Sequence, residues 1–167
     1  MAVAEQVGIR GLEELKKTFL ALPAELGEKV VRGGLRAAAK PIRDEARENA
    51  PVLKDPDPRR KPGTVQKAIS VRRSKQDKYG VYVSVKPLSA KKIKSFKQAG
   101  GKAADNPDDP FYWIFKEFGT SKMPADPFMR TAYESKKYEA IEKFEAYAKN
   151  RTVKVAEKLA KEKGMKK

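Results

Sequence analysis

Cysteine and histidine do not occur anywhere in this chain. The first absence excludes disulfides and thiol chemistry and fits a protein made in a reducing cytoplasm. The second removes the commonest general base and metal ligand, and with it most hydrolase constellations. Long apolar runs are missing too: no stretch of about eighteen apolar residues exists, so no spanning helix is expected. The opening residues, Met-Ala-Val-Ala-Glu-Gln-Val-Gly-Ile-Arg, lack the basic and apolar regions of a signal peptide. No internal repeat is visible, and tryptophan occurs once.

What the chain has is positive charge. Its 167 residues suit one domain, and we divide them into a domain over 1–150 and a basic helical extension over 151–167. The net charge is +16 and 36% of residues are charged. With a mean hydropathy of −0.72, the core must be small. The charge is unevenly placed: residues 54–102 carry fifteen basic and three acidic side chains, whereas residues 1–53 carry nine and eight. A concentrated basic block suggests an anionic neighbour.

Hydrophobic periodicity predicts the elements. Residues 3–9 read as a short strand, and Leu12, Leu15, Phe19 and Leu22 recur at helical spacing. Pro23 opens a second helix with a stripe of Leu26, Val30, Leu35, Ala38, Ile42 and Ala46. Gly33, Gly34 and Pro41 interrupt that stripe, so a kinked helix ending near Asn49 is expected. A Pro-rich loop follows over 51–66, leading into a helical turn expected at 64–68. Ile69 and Val71, a polar turn, then Val81, Val83 and Val85 predict a hairpin. Residues 87–109 lose periodicity and read as a second flexible loop. A short helix from Pro110 to Phe118 is capped by Gly119, and Asp126 and Pro127 start the last helix. On that helix Tyr133, Ile141, Phe144, Ala148, Val155 and Leu159 share a face. The expected fold is α+β: a small antiparallel β-sheet packed against long N-terminal (kinked) and C-terminal helices, with two long flexible basic loops, 51–66 and 87–109.

The densest feature is the segment 111–133, with six of the thirteen Phe and Tyr residues and the only Trp. We expect Phe111, Ile114, Phe118 and Phe128 inside and Thr120 to Met123 outside. The turn Phe118, Gly119, Thr120, Ser121, Lys122, Met123 and Pro124 is a candidate subunit or partner interface, because Gly and Pro hold it at low entropic cost. Asp105, Asp108, Asp109 and Glu117 raise a metal-dependent enzyme. Their spacing fits no calcium loop and nearby lysines can neutralise them, so no catalytic, cofactor or metal site is expected. A non-specific nucleic-acid-binding protein acting in the cytoplasm is the alternative; no base-reading motif is present.

Three segments, Gly-Leu-Glu-Glu-Leu-Lys-Lys at 11–17, Ala-Ala-Ala-Lys-Pro-Ile-Arg-Asp-Glu-Ala-Arg-Glu-Asn-Ala-Pro at 37–51 and Glu-Phe-Gly-Thr-Ser-Lys-Met-Pro-Ala-Asp-Pro-Phe-Met-Arg at 117–130, resemble the tail-component family of long-tailed bacteriophages. Two departures stand out: Pro-Gly-Thr-Val at 62–65 opens the hairpin after a longer Pro-rich insertion, and Trp113-Ile114 replaces the His found in many members. The resemblance implies a virion protein of the neck, present in the host cytoplasm before assembly. It implies a homo-oligomeric ring, hexameric to match the tail tube, between head-side connector or stopper proteins and the tail terminator or tail tube protein. Genomic DNA would pass through its lumen non-specifically, with no membrane involved. On that reading Arg59, Arg60, Lys61, Arg72, Arg73, Lys91, Lys92 and Lys94 face lumen DNA or an acidic partner.

Overall fold

The computed structural model describes residues 24–52, 60–102 and 105–164. The expected strand at 3–9, the helix from Leu12 and residues 53–59 of the first loop lie outside the described residues. Among the described residues five helices and one hairpin follow in order: α1 (Ala24–Glu48), α2 (Thr64–Ala68), β1 (Ile69–Arg73), β2 (Val81–Val85), α3 (Ala90–Gln98), α4 (Trp113–Phe118) and α5 (Phe128–Gly164).

The pairing of α1 with α5 dominates. Gly33 meets Tyr147, Gly34 meets Phe144, and Glu45 meets Lys136. Contacts that fall along one helix as they rise along the other make the pair antiparallel. α1 runs as one helix through Gly33, Gly34 and Pro41 and ends at Glu48, one residue short of the expected end near Asn49. The glycines serve a close approach instead: a Cβ on Gly34 would stand 2.8 Å from the Phe144 ring, and one on Gly33 would collide with Tyr147. The buried row of α5 is Phe128, Ala132, Ala140, Ala148 and Thr152, all at multiples of four residues. On α1 the facing row is Val30, Gly34, Ala38, Ile42, Ala46 and, just past its end, Ala50; of these Ala38 and Ile42 are half-buried, and Ala39 beside them is buried. Such rows form the ridges by which helices interlock, and small side chains let the backbones approach. Because four exceeds the helical repeat of about 3.6, the buried row of α5 winds around its axis. Tyr133, expected inside, is therefore left 53% exposed.

Charges pin the pair at its end. Lys136 lies 3.6 Å from Glu45 and 3.3 Å from Glu139. The hydrogen bond and charge of Glu139, then Glu45, hold the Lys136 ammonium above the usual lysine range. Lys137 is raised likewise by Glu134, 2.7 Å away.

The hairpin packs on the C-terminal part of α1. Its register pairs Ile69 with Val85, Val71 with Val83 and Arg73 with Val81 on one face, and Ser70 with Ser84 and Arg72 with Tyr82 on the other. Ile69 and Val85 join Ala46, Ala50, Val65, Phe128 and Ala132 in the core. The Arg47 guanidinium donates twice to the Ile69 carbonyl, at 2.7 and 3.0 Å, tying α1 to the start of β1. Lys78 reaches back from the hairpin turn to Glu28, 2.6 Å away.

The second loop of the sequence reading is corrected. Its middle is α3, whose N-cap Ser89 accepts from the Lys92 N–H at 3.4 Å. At the other end Gly100, at φ +86, donates to Lys97, and Gly101 donates to Phe96, both at 3.0 Å. That double bond to the last turn closes a helix once a glycine takes the left-handed conformation. The end signals, Ser before and Gly-Gly after, were in the sequence; a helix burying none of its residues shows too weak a stripe to be seen.

The close seam makes a specific demand. Glycine in a helix interior costs about 1 kcal/mol relative to alanine, so replacing it should stabilise an isolated helix. At position 34 overpacking against Phe144 should win instead: Gly34→Val is expected to lose about 1–3 kcal/mol, read as a lowered midpoint in urea unfolding.

Candidate functional site

The aromatic segment does not do what its composition suggests. Only Glu117 of α4 is buried. Phe111, Ile114, Phe115 and Phe118 stand at i, i+3, i+4 and i+7, a single helical face, and that face points outward. Phe118 is 64% exposed. The expectation that Phe111, Ile114 and Phe118 pack inside is therefore corrected, while Phe128 is buried as expected. The opposite side of the segment holds it down: Tyr112 and Trp113 pack on the core. Burial raises the Tyr112 phenol above its ordinary range, against smaller opposing effects of the Val65 main chain and Arg60.

Glu117 is inside because α5 needs it. The first turn of a helix leaves N–H groups without partners and carries partial positive charge. The Glu117 carboxylate accepts from the N–H of Met129 at 2.9 Å and of Arg130 at 3.1 Å. Asp126, the residue expected to cap this helix, is exposed; its own N–H donates to the Lys116 carbonyl at 2.7 Å. The cap is thus supplied by the preceding helix, not by the residue before α5. Sequence spacing shows only local caps, and a carboxylate a dozen positions upstream gives no such signal.

The turn between the helices is equally constrained. Gly119 has φ +75, and a Cβ there would stand 2.8 Å from the Ala125 nitrogen, so only glycine fits. Thr120 and Met123 exchange main-chain hydrogen bonds of 2.8 and 3.3 Å, and the Lys122 N–H donates to the Thr120 hydroxyl at 3.3 Å. Thr120, Ser121, Lys122 and Pro124 are exposed and Met123 is half-buried. Guanidinium groups flank the aromatic face: Arg60 lies 4.9 Å from the Phe111 ring and Arg130 5.9 Å from the Phe118 ring.

The basic candidates do not form one patch. Arg59 lies outside the described residues. Arg60 is drawn to Phe111, and Lys61 is paired with Asp108 at 2.8 Å. Lys61 and Lys92 line a cleft of about 260 Å³ together with Lys67 and Lys86, which the sequence reading missed. Lys91 is exposed beside Lys92, the two lining a second cleft with Asp108, and Lys94 is exposed farther along α3. Arg72 and Arg73 sit at the far end of β1, facing opposite sides of the sheet, roughly 10 Å from the Ile69–Val85 end where Lys86 follows. Sequence proximity put these residues in one block; the hairpin separates them.

The carboxylates are dispersed as well. Asp108 is engaged with Lys61, Asp109 accepts from the Phe111 N–H at 3.1 Å, and Glu117 is the helix cap. Among the described residues no group of three or more acidic side chains could hold a metal ion. No helix among them is long and apolar enough to cross a membrane.

Residues 13–119 match the model of the HK97-gp10-like family, described as "Bacteriophage HK97-gp10, putative tail-component". The match takes in α1 to α4 and ends at Gly119, just inside the third segment of the resemblance. No curated protein and no solved structure matches the chain.

The cap predicts its own loss. Removing a buried acceptor strands two N–H groups, so Glu117→Ala should cost about 2–3 kcal/mol in chemical unfolding, with Glu117→Gln intermediate because one acceptor oxygen remains. An unchanged midpoint for Glu117→Ala would mean that the cap contributes nothing.

Proposed function

Since the chain belongs to the HK97-gp10-like family of phage tail components, and so to the virion, we propose that it is the tail-completion or head–tail joining component of the neck. It forms a ring, hexameric to match the tail tube, between the head-side connector or stopper and the tail terminator or tube protein. The genome passes through the lumen of that ring.

One observation carries this reading: the outward aromatic face of α4, set on a platform fixed by Glu117 and Gly119. Large apolar side chains on one exposed face mark a surface meant for another protein. Interfaces favour aromatic residues, Met and Arg, and this face and its rim hold Phe111, Phe115, Phe118, Met123 and Arg130. Surface apolar area that buries nothing of the fold gains nothing until it is covered.

The basic side chains supply the second part. Lys67, Lys86, Lys91, Lys92, Lys94, Arg72 and Arg73 are exposed. Lining a channel, they would be attracted to phosphates whatever the base sequence, and salt would weaken that attraction. No aromatic platform accompanies the lysines of α3, which argues for backbone attraction over base stacking.

Two measurements test the reading. In phage carrying Phe118→Asp, free heads and free tails should accumulate, counted by electron microscopy, while the purified variant keeps its unfolding midpoint within about 0.5 kcal/mol. Joined particles in normal numbers, or absence of the chain from purified particles, would sink it. Neutralising Lys91, Lys92 and Lys94 to Gln should lower DNA retention in filled particles; unchanged retention and joining would remove this cluster from the lumen.

A further inference from the structure

Beside the aromatic face, the chain carries an apolar groove. It opens along the α1/α5 seam, encloses about 530 Å³, and is lined by Leu35, Ile42, Tyr138, Ile141, Phe144 and Glu145 among others. That volume lies in the range of about 300–1,000 Å³ in which proteins accept aromatic ligands. Glu145 makes the groove unusual: its Oε1 is buried and has no hydrogen-bond partner. A buried carboxylate oxygen without a donor is costly, so the groove is incomplete as it stands. The nearby Lys137 is already paired with Glu134 at 2.7 Å.

Each feature has what the other lacks. Phe111, Ile114, Phe115 and Phe118 present an exposed surface of roughly 400 Å², summed from their exposed fractions, and Arg130 at its edge has no carboxylate partner among the described residues. The groove is concave and apolar and holds one carboxylate oxygen, Glu145 Oε1, without a donor. Within one chain they cannot complete each other: Arg130 and Glu145 are fifteen positions apart on the same helix, roughly 22 Å along its axis.

We propose that the α4 aromatic face of one copy seats in the α1/α5 groove of the next, with Phe118 against Ile141 and Arg130 donating to the neighbour's Glu145. This inference rests on the ring reading above and specifies its contact. The two surfaces differ, so the contact is head to tail: every copy offers one face and one groove. Repetition of such a contact yields a closed ring or an open filament, never a closed symmetric dimer. A standard interface needs about 800 Å² from each partner. The aromatic face supplies about half of that, and the exposed turn from Thr120 to Pro124 lies beside it to extend the contact.

The absence of cysteine makes the test clean, because introduced thiols are the only ones present. Phage particles assembled with a chain carrying both Phe118→Cys and Ile141→Cys are treated with a short bismaleimide, in parallel with an amine-reactive cross-linker. The double variant should give a ladder of dimer, trimer and higher species, and either single variant only monomer. Dimers from Phe118→Cys alone would show face-to-face pairing and overturn the proposal. Amine-linked oligomers without a thiol ladder would overturn this contact while leaving the ring intact; no oligomer with either reagent would remove both. The ion pair gives an independent arm. Arg130→Glu should reduce amine-linked oligomers at least tenfold, and adding Glu145→Arg should restore them; failure of restoration would discard that pair.

Discussion

Two hydrogen bonds from the first turn of α5 to the carboxylate of Glu117 set the geometry on which the outer surface depends. A charged group inside a small core needs strong partners, and the positive end of a helix offers both N–H donors and a favourable dipole. With Glu117 turned inward and Tyr112 and Trp113 seated on the core, the orientation of α4 is set. Phe115 then lies about 160° and Phe118 about 100° around the axis from Glu117, and both meet solvent, as does Ile114 beside them. Gly119 then allows the chain to turn back within van der Waals distance of itself. One buried acid thus explains why the most apolar segment of a very polar chain is on its surface.

The α1/α5 seam works by a different economy of space. Its rows are built largely from Ala and Gly, so the helices are held by the closeness of their backbones more than by large interdigitating side chains. Phe144 and Tyr147 lean over Gly34 and Gly33 because nothing projects there. The same smallness leaves room on one flank of the seam, which is the groove. Tight approach on one side and a cavity on the other come from the same choice of residues.

The hairpin was legible to within a residue because Val81, Val83 and Val85 alternate with polar neighbours, and alternation has one structural meaning. The extent of α1 was legible from its stripe, although its glycines looked like breaks; only the position of Phe144 shows that they are contacts. The aromatic segment was misread on burial because apolar composition states that a surface must be covered, not by whom. The rotating row of α5 was misread because Tyr133 and Ile141 are larger and draw the eye from the alanines that carry the contact. Of the candidate interface, the rigid turn was found from its Gly and Pro, whereas Phe111, Ile114 and Phe115 had been assigned to the core or left out. The basic block is spread over several surfaces of one copy, since strand direction separates neighbours that sequence keeps together.

The inward acid and the outward aromatics divide two kinds of constraint between alternate faces of a six-residue helix. Glu117 holds the first turn of α5, so substitution there is expected to disturb folding. On the interface proposed above, substitution at Ile114, Phe115 or Phe118 would change what the surface recognises while the fold loses little, because those side chains are exposed. On that reading recognition could drift without passing through unstable intermediates. A surface of this kind is free to follow a changing partner, and the single residue that aims it is not.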